Sequence, residues 1–211
     1  MDFTSQMTAL LSELRRERNG AAADAMRFYG KDYGLNLGVA IHTIREISAD
    51  FPHDHAFAEY LYRQDVRELK IAALWLAQPE RVEPTAFDFW AAGIINSEMA
   101  EQVAMALFSK VECIDALLDK YGLSDNILAV YAVLLAVSRN MRCNAEKAVL
   151  LIENIISRYD DNRLIAQSTV AALAALYDRA PQPTKSVIEK IAQKNSTTAR
   201  YISEELSWRI E

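Results

Sequence analysis

Apolar residues recur along this chain at steps of three and four, and no alternating run lasts long enough to suggest a sheet. The pattern predicts helix almost throughout. Pro79, Pro84, Pro181 and Pro183, the Tyr121-Gly122 pair and the Asp160-Asp161-Asn162 cluster punctuate it. Between these breaks a unit recurs. Five stretches open alike: DVRELKIAALWLAQ at Asp65, NSEMAEQVAMALFSK at Asn96, SDNILAVYAVLLAVSR at Ser124, DNRLIAQSTVAALAALYDR at Asp161 and NSTTARYISEELSWRI at Asn195. Their starts lie 31, 28, 37 and 34 residues apart. Each begins with Asp, Asn or Ser, whose side chains satisfy free N–H groups at a helix start. A second amphipathic stretch precedes each one, such as AFDFWAAGI, VECIDALLDKY, AEKAVLLIENIISRY or TKSVIEKIAQK. Helix pairs repeating every ~30–40 residues predict an all-α fold, an α-solenoid of HEAT-like pairs in a single curved domain over residues 1–211. A non-repeating helical bundle is the alternative. In a solenoid one helix of each pair lines a common groove, which suits a peptide, a protein or a duplex.

Composition narrows this only slightly. The 211 residues are 51% apolar and 25% charged, as in an ordinary globular protein. With 29 acidic against 23 basic side chains the net charge is -6, so bulk electrostatics does not draw the chain to nucleic acid. A local basic face must therefore carry any such role. Two cysteines, Cys113 and Cys143, exclude a disulfide framework and read as buried apolar residues in a reducing, cytoplasmic setting. No apolar run reaches the ~18 residues of a membrane span. The N-terminal charges follow the apolar residues, the reverse of a signal peptide.

Familiar catalytic patterns are missing. His53-Asp54-His55 has a metal-ligand look, but a site needs three or four converging ligands, and a loop with a helix cap is the plainer reading. Gly30, Gly34 and Gly38 are spaced by four, not as a phosphate loop requires. All three histidines lie between residues 42 and 55, so no Ser–His–Asp set can be placed. No metal and no cofactor is expected.

Several segments, taken in order, do resemble a known family. MRFYGKDYGLNLGVAIHTIREIS, YLYRQDVRELKIAALWLAQPERV, FWAAGIINSEMAEQVAMALFSK and STTARYISEELSWRI are similar to successive segments of the bacterial DNA alkylation repair proteins, AlkD-like glycosylases made of HEAT-like repeats. The resemblance implies a site of two tryptophans, an aspartate and an arginine that excises cationic alkylated bases. Indole faces attract a cation, a carboxylate stabilises the oxocarbenium-like sugar, and arginine pairs with phosphate.

Carried onto this chain, that set is degenerate. The Trp–Asp pair falls on Ser97 and Glu101, the arginine on Ala129 and the second tryptophan on Ala171. Glu101 alone keeps a carboxylate, one methylene longer than Asp, and is the only catalytic candidate. Trp75, Trp90 and Trp208 sit elsewhere in the pattern and read as core. Three positions that the family turns towards nucleic acid are retained: Tyr29, Lys31 and Arg45. Arg15, Arg16, Arg18 and Arg27 add charge before them, interleaved with Glu13, Glu17, Asp24 and Asp32. Two functions stay open. One is a DNA-binding, repair-related protein on double-stranded DNA, with base excision weak, altered or lost. The other is a non-catalytic scaffold whose groove holds a protein or peptide. No membrane partner is expected in either.

Overall fold

The computed structural model describes residues 2–209, and these contain thirteen α-helices and no strand. The only extended pairing among them is a single bridge, Leu35 to Val66. Two compact units are formed, one from Met1–Val82 with Asp88–Leu107, the other from Glu83–Phe87 with Phe108–Glu211.

In the first unit α1 (Phe3–Arg16), α2 (Gly20–Phe28) and α3 (Ile41–Ala49) precede the pair α4 (His55–Tyr62) and α5 (Arg67–Leu76). Nearly every α5 side chain is buried, and α5 packs on both α3 and α4. A short α6 (Phe87–Ala91), of which all but Phe87 belongs to this unit, and α7 (Ser97–Gln102) follow. Trp90 is fully buried; Tyr62 donates its hydroxyl to the Trp90 carbonyl at 2.7 Å and lies against the indole.

The second unit repeats the pair more regularly: α8 (Ile114–Tyr121) with α9 (Ile127–Val137), α10 (Ala145–Arg158) with α11 (Arg163–Tyr177), and α12 (Pro181–Ala192) with α13 (Thr197–Leu206). Helix α9, ILAVYAVLLAV, is apolar on every side, and it packs on α8 and α11. Asn126, Asn162 and Ser196 cap α9, α11 and α13 by accepting the free N–H groups of Leu128, Ile165 and Ala199.

The five expected helix starts therefore appear as α5, α7, α9, α11 and α13, with three differences. Asp65 does not cap α5. The helix begins at Arg67 after Val66, and the Leu35 carbonyl takes the Arg67 N–H at 2.9 Å instead. Pro181 opens α12 rather than breaking the chain before it, because a first-turn proline gives up no helical hydrogen bond. Finally, NSEMAEQVAMALFSK is not one α-helix. Asn96 caps α7, but after Gln102 the backbone widens into a π-helical segment, Val103–Leu107, and then tightens into a 3-10 turn at Phe108–Lys110.

Candidate nucleic-acid interface

The charged side chains that the first unit buries, Arg67, Glu68 and Glu98, converge where α5 and α7 begin. Arg67 is 1% exposed and Glu98 6%. The guanidinium grips the Glu98 carboxylate with two parallel bonds, Nε to Oε2 and Nη2 to Oε1, both 2.8 Å. Its Nη1 donates to Glu68 Oε1 and to the Val39 carbonyl, each at 2.9 Å. Glu68 in turn accepts the N–H groups of Leu37 and Val39. Tyr33 donates its hydroxyl to Glu98 and lies 3.2 Å from the Asn96 side-chain oxygen.

This network explains the shifted titrations. Burial opposes the Glu98 charge, but hydrogen bonds from Arg67 and Tyr33 outweigh it, and Glu98 is held below its ordinary value. Burial likewise opposes the Arg67 charge, and Glu98 and then Glu68 reverse that, so Arg67 stays a cation. Burial and the neighbouring Glu98 push the Tyr33 phenol well above its usual range, which keeps it a donor.

The consequence is positional: residues 33–39 are tied to the starts of both α5 and α7. Gly38 makes the tight path possible. Its φ is +73°, and a Cβ there would come within 2.0 Å of the Asn19 carbonyl oxygen. Beside the ion pair lies an open pocket of about 470 Å³, bordered by Asn19 and Met26 of the α2 region, Val39 and Thr43 at the α3 start, and Arg67 and Glu98.

The residues singled out by the sequence fall around this framework unevenly. Tyr29 ends α2 and is 78% exposed. Lys31 is half-buried and close enough to Glu98 for its charge to help lower that carboxyl. Arg45 is exposed on α3, and its guanidinium carbon stands 4.7 Å from the centre of the Trp75 ring. Trp75 is thus only partly buried, not the core residue expected, and one indole does flank a retained basic position. Trp208 is also not core: it is 63% exposed, and its indole N–H donates to the Glu205 carbonyl.

Ser97 and Glu101 share the part-exposed face of α7, and Met105 continues it at 42% exposure. Steps of four overshoot a turn by ~40° on an α-helix, and the wider π segment turns the step on to Met105 back in the opposite sense. Ala171 is half-buried on α11, whereas Ala129 is 2% exposed and packs inside the second unit rather than lining a surface. Of the added arginines, Arg16 pairs with Glu13 and Arg27 with Asp24.

Other expectations resolve simply. Asp54 caps α4, and His55 is buried, accepting the Gln78 N–H and stacking edge-on to Trp90. No cluster of three or more potential metal ligands occurs among the described residues. Cys143 is buried and its thiol is pushed up to about 12, while Cys113 is half-buried. No helix among the described residues is long and apolar enough to cross a membrane.

Arg67, Glu68, Glu98 and Tyr33 were not among the residues that the sequence marked. The available signal was three charges, Arg67, Glu68 and Lys70, at the start of an apolar helix, VRELKIAALWL, with a further acid at the next repeat's start.

With this geometry in hand, comparison with known proteins is informative. The family model for "DNA alkylation repair enzyme" matches residues 10–206. No curated protein matches the chain. A solved structure with a TM-score of 0.72 is 16% identical, covering 99% of this chain and 95% of its own. That protein is described as one of "a new family of proteins related to the HEAT-like repeat DNA glycosylases with affinity for branched DNA structures". The likeness establishes the HEAT-like fold here.

Proposed function

The chain belongs to the DNA alkylation repair enzyme family, and from that premise we propose that it holds DNA in a repair setting, with base excision weak, altered or lost. The observation that carries this reading is the contrast between two groups of residues. Arg45, stacked on Trp75, is exposed and held in place, and Tyr29 is exposed beside Lys31. The α7 face where the resemblance implies indole and aspartate presents Ser97, Glu101 and Met105 instead. On this reading the residues suited to phosphate are kept while the cradle for a cationic base is not. The likeness to a protein with affinity for branched DNA supports DNA with a branch point as the preferred ligand, with plain duplex bound more weakly.

Excision depends on positioning within about 1 Å, which a longer carboxylate without aromatic walls does not supply. The expected result is binding of fluorescent branched and duplex DNA with no release of 3- or 7-methylpurine from methylated DNA. Release that Glu101→Gln abolishes would make Glu101 catalytic and overturn the non-excising half of the reading. Absence of DNA binding would favour the protein- or peptide-holding scaffold.

A further inference from the structure

Two adjacent aromatic residues at the end of α2 stand out from the rest of the surface. Phe28 is 83% exposed and Tyr29 78%. A Phe or Tyr side chain carries ~150–250 Å² of surface that folding normally buries. The other rings of the first unit are buried or half-buried, with Phe57 and Trp90 fully inside. Helix α2 contributes little to that core, since Ala23 is its one buried residue. Asn19 at its start and the Lys31 N–H bonded to the Met26 carbonyl at its end fix it instead.

The local backbone sets the pair at a tip. Tyr29 closes the helix, Gly30 follows at φ +74°, and a Cβ on Gly30 would meet nothing within 4 Å. The two rings brace each other edge to face at 5.2 Å, so Phe28 and Tyr29 form one small apolar platform. Its setting is mixed in charge, against -6 for the whole chain: from Glu13 to Asp32 there are five basic and four acidic side chains, and Arg16 and Arg27 pair with Glu13 and Asp24.

We infer that Phe28 and Tyr29 form a base-stacking platform that engages the unstacked base or exposed base pair at a DNA branch point. This inference rests on the DNA-binding reading above and adds to it the feature by which branched DNA is told from duplex. In an intact duplex each base face is covered by its neighbours, and only phosphates and groove edges are offered. At a branch or bulge a base face is open, and a ring can stack on it whatever the sequence. Basic side chains of this segment, such as Arg15, Arg18 and Lys31, meet the phosphates that flank such a point, and the platform supplies the preference.

The test is an anisotropy titration of the full chain with two labelled DNAs of matched length, a linear duplex and a three-way junction. Phe28→Ala weakens junction binding about tenfold, the scale of one lost stacking contact, and leaves duplex binding within about twofold. Phe28→Trp restores the preference. Thymine replaced by 5-iodouracil at the branch point should photo-crosslink to the peptide carrying residues 28 and 29. Both side chains are exposed, so circular dichroism and melting of the variants should match the parent. Equal weakening on both DNAs, no effect on either, or crosslinks confined to other peptides would overturn the platform while leaving DNA binding intact. If the unaltered protein binds neither DNA, the DNA reading itself fails and the platform with it. Vesicle binding lost in Phe28→Ala, with DNA binding unchanged, would reassign the pair to a lipid surface and also overturn the proposal.

Discussion

Helices α7 and α11 open alike, with an Asn cap bonded three residues on at 3.0 and 3.1 Å, and then diverge. Helix α11 runs as a regular helix from Arg163 to Tyr177 over neutral, mostly apolar neighbours. Helix α7 lasts only to Gln102, buries Glu98 against Arg67 and widens into a π segment. The second unit thus spends its helix starts on plain capping, whereas the first buries three charges there. A buried ion pair adds little net stability over an apolar replacement, because desolvation offsets its attraction. What it does add is directionality: it fixes where residues 33–39 and the α7 start lie. Irregular, costly structure lies beside Lys31 and the Ser97–Glu101 face.

The sharpest way to break this contrast is to remove one charge. Arg67→Met leaves Glu98 and Glu68 buried without their cation and should cost about 3–5 kcal/mol in urea unfolding. In the second unit, Asn162→Ala removes one cap and should cost about 1 kcal/mol. Comparable losses in the two variants would show that the buried network is not special.

Acid should separate the units as well. Glu98 titrates below its ordinary 4.5 in the folded chain. Its contribution to stability is therefore complete above that value and is lost as pH falls through the lowered one. The urea midpoint of the parent should drop more steeply below about pH 4.5 than that of Glu98→Gln. Parallel pH profiles would contradict the assignment.

How far these regions were legible in the sequence differs in the same way. Apolar spacing and Asn or Ser at helix starts suffice for α9, α11 and α13, because nothing there competes with local preference. They fail at α5, where a backbone carbonyl 32 residues upstream, Leu35, replaces the side-chain cap. They also fail at α7, because the change to a π segment after Gln102 leaves no mark in the apolar spacing of NSEMAEQVAMALFSK. Glu101, Tyr29, Lys31 and Arg45 were named through family resemblance. Tyr33 was missed because a lone tyrosine in a loop carries no periodic signal, and its partners Glu98 and Arg67 lie 65 and 34 residues away.

A smaller effect sharpens the account of Arg45. If Trp75 holds that guanidinium in place, Trp75→Ala should cost about 0.5–1 kcal/mol of DNA affinity, and Trp75→Phe less. Equal effects of the two substitutions on affinity would detach the indole from binding.

If this scaffold keeps phosphate contacts after the base-excision residues have changed, its DNA affinity must depend on salt and on Arg45. Fluorescent DNA titrated at two salt concentrations, with the parent chain and Arg45→Ala, decides this. With about three phosphates neutralised or fewer, log K should fall against log salt no more steeply than about -3. Arg45→Ala should weaken binding and flatten that slope by about one. Absence of binding at low salt, or a slope indifferent to Arg45, would contradict the claim.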